Sequence, residues 1–438
     1  KKWGIQIPFN YGQGVEVITP KYDQQYEDIE LDTRLDAAVD DAERDLILEQ
    51  SETYTKRKSI NFIGVKKNRT GEAKPSFYDV ENLTLNYSYN KMEHRDFEIE
   101  RSVDKQVRAG VNYAYNFEPK LIEPFKKNDS LFTGKYWKFL KELNFNVLPA
   151  SFTINTGLNR QFNRQKFRDL DLTGNNIGLE ELYRRNYNFD YQYNLNWNLT
   201  KSLQVNYSSS NNNIVRNYFK DNIINGEPDP LLDVWDGFFD FGDPNRQQQQ
   251  IGINYEIPLS KIPTLSFLKA TYSYSGLFQW QKGSDLFGNL VGNDGLTYNL
   301  GNTISNGNTH NINSTLDMNK LYKYLGISAK AKSRGNKVAR TSRTAGPPGI
   351  ANKEKVKAKK AGDGIGSKIG NFGIGLLTSI KRIQAVYSET NGTFLPGYLQ
   401  TPGFLGTAKP TIGYTFGSQS DVRDLAARNG WLTAFPDF

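Results

Sequence analysis

The sequence predicts an all-β protein, specifically a section of a very large antiparallel transmembrane β-barrel with long loops and a small helical insertion. Three observations predict it: one long alternation of aromatic and polar residues, the repetition of that alternation, and a composition rich in aromatic residues (13%) at a mean hydropathy of −0.64. No apolar run approaches the roughly 18 residues that suggest a transmembrane helix. Low hydropathy still permits a membrane barrel, because half of each strand and most loop residues are polar.

The alternation is clearest in residues 187–199, where aromatic residues or Leu occupy every odd position and polar residues every even one. A period of two places the two sets on opposite faces of a β-strand. The run exceeds both the 5–6 residues of a typical soluble strand and the roughly 9–11 that cross a bilayer at a tilt. A half-buried strand of a large soluble sheet would show the same pattern, so its repetition along the chain is needed to favour a barrel.

The two faces predict two sets of residues. The predicted lumen-lining set is Asn188, Asp190, Gln192, Asn194, Asn196 and Asn198, with Gln204 and Asn206 on the next strand. The predicted lipid-facing set is Tyr191, Tyr193, Leu195 and Trp197, with Tyr272 and Tyr274 on a later strand. Neutral amides would wet a channel wall without binding a passing polymer strongly, whereas many charges would select cargo by its sign. Solvent-facing residues of a soluble antiparallel sheet are the alternative.

Repeated alternation gives roughly a dozen strands and divides the chain into five parts. These parts are a barrel strand at 1–11, a loop with a helical insertion at 12–56, barrel strands and loops at 57–329, a basic flexible loop at 330–368, and barrel strands and a loop at 369–438. In the insertion, a rough 3.6-residue spacing of apolar positions predicts one helix over 31–50. Further short amphipathic helices are predicted at 136–143 and 321–325, and weaker strands at 372–376 and 412–416.

The lengths of the connections between strands predict how the barrel is oriented in the outer membrane. Short connections near 199–203 and 260–263 alternate with long ones near 217–247 and 281–309, as in outer-membrane barrels, whose periplasmic turns are short. Counting strands from these turns places the basic loop on the periplasmic side and the helical insertion outside the cell.

Charge and chemistry exclude several functions. Residues 330–360 contain eleven Lys and Arg against a single Glu, so the net charge of +8 is concentrated in one loop. That loop has no interleaved aromatic residues, which a nucleic-acid site would need, so no nucleic-acid partner is predicted. The chain has two His and no Cys, and it contains no phosphate-binding loop, HExxH or GxSxG motif. It is therefore predicted not to be an enzyme and to hold no cofactor or metal.

Several motifs, including some in loops, resemble the SprA/Sov family, the outer-membrane translocon of the type 9 secretion system in Bacteroidetes. The resemblance covers most of the chain. The motifs are YDVENLTLNYSYN at 78–90 followed by HRD at 94–96, GNTISNGNTH at 301–310, LYKYLG at 321–326, YSETNG at 387–392 with LPGY at 395–398, and DLAARNGW at 424–431.

The resemblance implies an outer-membrane location, and a barrel longer than 438 residues of which this chain would be a section toward the C-terminal half. It implies a protein-conducting pore that exports folded cargo proteins with a C-terminal sorting domain and supports gliding motility. The implied partners are a PorV-type outer-membrane barrel protein, a plug protein, the cargo and membrane lipid. An outer-membrane nutrient channel or receptor and a soluble β-rich surface adhesin are the alternatives.

Overall fold

One antiparallel sheet of twelve strands forms the body of the molecule, which confirms a predominantly β architecture. The computed structural model describes residues 3–72, 74–126, 134, 140, 142–170, 179–216, 229, 232–327 and 378–434. Its strands in chain order are β1 (Ile5–Gln6), β2 (Phe9–Ile18), β3 (Thr53–Lys67), β4 (Leu83–Arg95), β5 (Ile99–Asn116), β6 (Leu121–Ile122), β7 (Phe145–Asn146), β8 (Ser151–Phe167), β9 (Leu182–Trp197), β10 (Leu203–Ile214), β11 (Asp243–Ile257), β12 (Leu268–Gln281), β13 (Leu290–Val291), β14 (Thr297–Tyr298), β15 (Asn302–Asp317) and β16 (Arg382–Tyr398).

Neighbours along the chain are neighbours in the sheet. The order is β3-β4-β5-β8-β9-β10-β11-β12-β15-β16, and β1 and β2 both pair with β3; β6-β7 and β13-β14 form two separate small hairpins. Within the described ranges no pairing joins β2 to β16, so the sheet is open at these two edges. Pro8, which has no N–H to donate, separates β1 from β2. The strand predicted over 1–11 therefore occurs as two pieces and extends to Ile18.

The helical insertion differs from its prediction. The single helix predicted over 31–50 is two helices, α1 (Leu31–Asp36) and α2 (Asp41–Ser51). The break follows from capping, because the Asp40 side chain accepts a hydrogen bond of 2.8 Å from the Glu43 N–H and starts a new helix. Leu31, Leu35 and Ile47 pack together between the two helices.

Three other helices in the described part of the chain are short: α3 (Met318–Tyr324), α4 (Ile412–Thr415) and α5 (Arg423–Arg428). Helix α3 confirms the helix predicted at 321–325. Helix α4 corrects the strand predicted at 412–416, since the Thr411 hydroxyl accepts a hydrogen bond from the Tyr414 N–H and turns the chain into a helix. The basic loop 330–368 and the strand predicted at 372–376 lie outside the described residues, as does most of the helix predicted at 136–143. No helix in the described ranges is long and apolar enough to span a membrane.

The sheet has two ends and two faces. The turn end is the end at which residues 198–202 join β9 to β10, and the loop end is the opposite one. The aromatic face carries Tyr191 and Tyr193, and the polar face carries Gln192 and Asn194. The helices between β2 and β3 lie at the loop end, and the strand ends that flank the basic loop lie at the turn end, so the two insertions are at opposite ends as predicted.

The predicted separation of short and long connections holds only in part. The short connections 198–202 and 258–267 are at the turn end and the long ones 215–242 and 282–301 at the loop end. However, the long connection 117–150 also lies at the turn end, and the tight turn 96–98 lies at the loop end.

Two segments at the loop end fold back over the aromatic face and bury the core. Residues 232–241 pack on Val107, Phe162 and Tyr187, with Val234 at their centre. Residues 399–433 pack on a larger cluster that contains Phe278, Trp280, Ile304, Leu395 and Tyr398. On the strands from β5 to β16, much of the loop-end half of the aromatic face is therefore covered by the chain itself, whereas Val15 and Val17 of β2 remain about half exposed.

A glycine sets the distance between the 399–433 segment and the sheet. A Cβ atom on Gly276 of β12 would lie 2.1 Å from the carbonyl oxygen of Phe416, so no larger residue fits at this position without moving the segment. Gly157 of β8, by contrast, has open space around its Cβ position.

We expect Gly276→Ala to weaken docking of the 399–433 segment by about 1–3 kcal/mol, because the added methyl group overlaps backbone. The measurement is the rate of tryptic cleavage after Arg423 and Arg428 in the folded protein, which should rise. Gly157→Ala is the matched control and should leave cleavage unchanged. Equal cleavage rates in Gly276→Ala and the unaltered protein would contradict the contact.

Candidate functional site: the two faces of the sheet

The polar face gathers the residues predicted to line a lumen. Strand register places Asn196 opposite Asn206 and Asn194 opposite Ser208, so the even positions of β9 and β10 share one face. The residues of the predicted set that lie on it are Asn188, Asp190, Gln192, Asn194, Asn196, Gln204 and Asn206. Asn198 follows the last residue of β9 and lies in the connection to β10, so strand register does not place it on either face. Its assignment to the wall stays a prediction.

Side chains on the polar face hydrogen bond to their cross-strand neighbours. The Asn194 amide donates to the Thr153 hydroxyl at 3.1 Å, and the Asn196 amide donates to the Ser151 hydroxyl at 2.9 Å. The Asn212 amide donates to the Asp190 carboxylate at 2.7 Å. An amide has two donors and an acceptor with two lone pairs, so these single bonds leave capacity for water. The face is thus a hydrated surface of small neutral groups.

This composition continues on both sides of β9. From β8 to β15 the polar face is mostly Asn, Gln, Ser, Thr and Gly, as seen in Thr153, Asn155, Gly157, Asn159, Gln161, Ser208, Ser210, Gln248, Gln250, Gly252, Asn254, Thr271, Ser273, Ser275, Ser305, Gly307, Thr309, Asn311 and Asn313. Its charged residues there lie near the strand ends, with the exception of Asp190 in the middle of β9. A polymer crossing this surface would meet hydrogen-bonding groups and little net charge.

A shallow hollow of about 440 Å³ interrupts the polar face between β5 and β8. Its lining includes Gly110 and Gly157, with Arg108 and Asp190 at its sides. The strands pair irregularly at this point, and the Thr156 hydroxyl takes the place of a backbone partner by bonding to both the N–H and the carbonyl of Val111 (3.0 and 3.1 Å). The absent Cβ atoms leave backbone accessible from the polar side.

The turn-end half of the aromatic face is an apolar band that the two folded segments leave open. Its residues are aromatic or aliphatic on successive strands and include Leu85, Val111, Tyr113, Phe152, Ile154, Trp197, Val205, Ile253, Tyr255, Tyr272, Ile312 and Tyr387. On β5 and β8, Phe77 from the connection between β3 and β4 packs on Tyr113 and Phe152. On β11 the same-face residues from Ile251 to Ile257 extend about 20 Å at the usual rise of a strand. Such a band, opposite a polar face, is the outer surface that a bilayer requires.

Three of the predicted lipid-facing tyrosines lie under the chain rather than in the open band. Tyr191 is 5% exposed and stacks on Phe404 with ring centroids 4.4 Å apart. Tyr193 donates its hydroxyl hydrogen to the Leu405 carbonyl, and Tyr274 donates to the Phe416 carbonyl at 2.5 Å. The lipid-facing assignment is corrected for these tyrosines. For Leu195, Trp197 and Tyr272, which share their face, it stays a prediction.

Buried amides hold the backbone of the 399–433 segment. The Asn306 amide donates to the carbonyls of Tyr414 (3.0 Å) and Ser418 (2.7 Å), and the Asn308 amide donates to the Gly417 carbonyl at 2.7 Å. Sequence reasoning missed these groups. The sequence feature that could have identified them is a polar residue at a position whose same-face neighbours are aromatic, as for Asn306 opposite Phe278.

Buried Arg160 holds the other covering segment. Its guanidinium is fully buried between the rings of Tyr187 and Phe238 (4.9 and 5.6 Å to the centroids). It donates to carbonyl oxygens of the 232–241 segment, including those of Asp236 at 2.6 Å and Asp240 at 3.2 Å. One side chain thus satisfies an irregular stretch of backbone that would otherwise be buried without partners.

An ion cluster marks the loop end of β8 and β9. The Arg164 Nε lies 2.5 Å from a Glu181 carboxylate oxygen, the Tyr183 hydroxyl donates to that carboxylate at 2.6 Å, and an Arg101 Nη lies 3.1 Å away. The hydrogen bond from Arg164, with those from Tyr183 and Arg101, lowers the pKa of Glu181 to about 2. Glu181 therefore stays charged at any ordinary pH.

The two histidines lie in separate places. The His94 ring bonds to the Thr55 hydroxyl (2.9 Å) and to Asp96 (3.1 Å), and the His310 ring bonds to the Tyr272 hydroxyl at 2.8 Å. In the part of the chain that the structure describes, no three His, Cys, Asp or Glu side chains come together as a metal site would need.

In comparisons with known proteins, the chain matches no family model and no curated protein.

We expect Arg160→Met to loosen the 232–241 segment, because the carbonyls would lose a buried charged donor at a cost of about 2–4 kcal/mol. Hydrogen–deuterium exchange in 232–241 should increase. Arg184→Met, on the same sheet but on the exposed polar face, is the matched control and should show no increase. Unchanged exchange in Arg160→Met would refute the anchoring role.

The Glu181 cluster predicts a pH dependence. Since the pKa of Glu181 is depressed from 4.5 to about 2, its stabilising effect is complete above about pH 4.5 and is lost as pH falls through about 2. Glu181→Gln should lower the thermal unfolding midpoint at pH 5–7, and the difference should shrink towards pH 2. Glu180→Gln, at an exposed neighbour, serves as control. A difference that is constant over this pH range would argue against the ion cluster.

Proposed function

We propose that this chain forms part of the wall of an outer-membrane barrel that conducts folded proteins by type 9 secretion and supports gliding motility. The observation that carries the proposal is the separation of the sheet into an apolar band on one face and a nearly uncharged polar surface on the other. A wall between lipid and water needs this separation on every strand.

The polar face suits the passage of large and varied cargo. Its Asn, Gln, Ser and Thr side chains bond to each other and to water, so cargo of either charge would cross it without strong attachment. A wall lined by many charges would instead favour or reject cargo by sign. Neutrality over many strands supports a wide, unselective conduit.

The length of the strands and the open edges also support a section of a larger barrel. β5 and β8 have 18 and 17 residues, beyond the roughly 9–11 that cross a bilayer, so the wall would continue past the membrane. The backbone at β2 and β16 has no further partner among the described strands. Lipid does not tolerate such edges, so the proposal requires additional strands at both.

The resemblance to the SprA/Sov family gives this conduit its proposed cargo and partners. Cargo with a C-terminal sorting domain, a PorV-type barrel protein and a plug protein would act at a pore built in this way. The DLAARNGW motif lies in the 399–433 segment, where Trp431 packs beside the buried cluster under that segment. The motif thus has a structural role in covering the aromatic face.

The test is depletion of the protein in its own cells, followed by comparison of the proteins in the medium and in the periplasm. Loss of proteins with a common C-terminal domain from the medium, with accumulation inside, would support the export function. Unchanged secretion with loss of nutrient uptake would identify a channel or receptor. Unchanged secretion with loss of attachment, and partition of the protein into detergent-free buffer, would identify an adhesin.

A pair of adjacent substitutions tests which face meets lipid. Ile253 lies in the apolar band and Asn254 on the polar face of the same strand. Ile253→Arg should destabilise the assembled barrel by about 2–4 kcal/mol if it lies near the bilayer midplane, and Asn254→Arg should be tolerated. The readout is the amount of heat-resistant folded protein in the outer membrane. Equal tolerance of both changes would rule out the assignment.

A further inference from the structure

Three lysines stand directly opposite one another on the aromatic face. Lys58 of β3 pairs in register with Lys91 of β4, which pairs with Lys105 of β5. Lys56 lies one same-face position further towards the loop end on β3. We call these four residues the lysine row.

The acidic groups around the row compensate only part of its charge. Lys105 pairs with Asp233 of the 232–241 segment at 2.5 Å, and Lys91 pairs with Glu93. Lys58 has the ring of Tyr11 6.0 Å from its ammonium. Among the described residues, neither Lys56 nor Lys58 has an acidic side chain within ion-pair distance. Like charges directly opposite on adjacent strands destabilise a sheet, so the row favours binding of an additional anion.

The row lies at the edge of the apolar band. One same-face position towards the turn end, the register neighbours of the lysines are Ile60, Tyr89 and Val107. Of these, Val107 is buried under the 232–241 segment and Tyr89 packs beside it, so Ile60 is the neighbour that the segment leaves open. Beyond them lie Phe62, Tyr87 and Leu85, which continue the band. Towards the loop end the face becomes charged. The change from apolar to cationic side chains therefore occurs at one level on three neighbouring strands.

We propose that the lysine row binds the phosphate of an anionic lipid headgroup in the leaflet at the loop end. The inference rests on the proposed membrane location and adds a specific lipid contact to it. Acyl chains would lie along Ile60, Phe62 and Tyr87, and the headgroup would reach the row at the edge of the band. Adjacent strands are about 4.8 Å apart, so the three paired lysines span about 10 Å, which suits one or two headgroups.

Charge and position together favour an anionic lipid over free phosphate at the lysine row. A free phosphate would gain the charge contact but nothing from the apolar band beside it. Each lysine at an anionic surface contributes about 1 kcal/mol, or about five-fold in affinity. Lys58 and Lys91 are the lysines to substitute in a test of lipid binding. Lys105 is left unchanged because it also holds the 232–241 segment through Asp233.

The experiment uses the whole protein purified in mild detergent and reconstituted in nanodiscs of a neutral phospholipid with a minor fraction of phosphatidylglycerol or of a phosphorylated glycolipid. Anionic lipid retained by the protein is measured by native mass spectrometry. The double variant Lys58→Gln/Lys91→Gln should retain at least ten-fold less of it. Arg57→Gln, on the polar face of the same strand, is the matched control and should retain the normal amount.

The outcomes separate this inference from the proposed function. Equal retention by the double variant and the unaltered protein, or equal loss in Arg57→Gln, would overturn the lysine row while leaving the membrane wall intact. Displacement of the lipid by inorganic phosphate at equal concentration would also overturn it, since the site would then be a simple anion site. Failure of the unaltered protein to enter nanodiscs at all would instead count against the membrane location.

Discussion

Everything in this fold depends on register being kept across the whole sheet. A slip of one residue in any strand would send its aromatic side chains to the polar face and its amides to the other. The structure confines its shifts of register to the ends of strands, at Ile99, Asn212 and Asn302 near the loop end and at Gly64 near the turn end. The irregular pairing of β5 with β8 beside Val111 leaves the register on either side of it unchanged. At Gly64 the extra residue returns Val65 to a position opposite Leu85, on the aromatic face. The uniform chemistry of each face is thus a consequence of pairing, and both proposals depend on it.

The division into two faces could be predicted from the sequence because it is local. The alternation in β9 assigns Gln192 and Tyr191 to opposite sides with no knowledge of any other strand. The same reasoning fails where a side chain that caps a helix overrides the periodicity of the apolar residues around it. Asp40 divides what reads as one helix, and Thr411 starts a helix in a stretch whose Ile412 and Tyr414 read as a strand. Short patterns of two or three residues do not outweigh one well-placed hydrogen bond.

What covers the aromatic face could not be predicted in the same way, because it depends on residues far apart in the chain. Tyr191 and Trp197 look alike in sequence, but only Tyr191 lies under Phe404, more than two hundred residues later. Buried polar residues among aromatic neighbours are the evidence that a face is covered. Arg160 and Asn306 are polar groups among aromatic neighbours, and each is buried where it holds carbonyl oxygens of a segment without regular structure. Such residues indicate that a face is covered, but they do not identify the distant segment that covers it.

The 399–433 segment also has a bearing on the order of assembly. It reaches from Tyr193 on β9, past Tyr207 and Gln249, to Asn306 and Leu395, and so touches every strand from β9 to β16 in the main sheet. It is synthesised after all of them. Before it docks, the side-chain amides of Gln249, Asn306 and Asn308 can bond only to water or to other groups of the sheet, beside rings that are still exposed. The segment therefore ties six strands together through contacts that can form only after the last of those strands has been made.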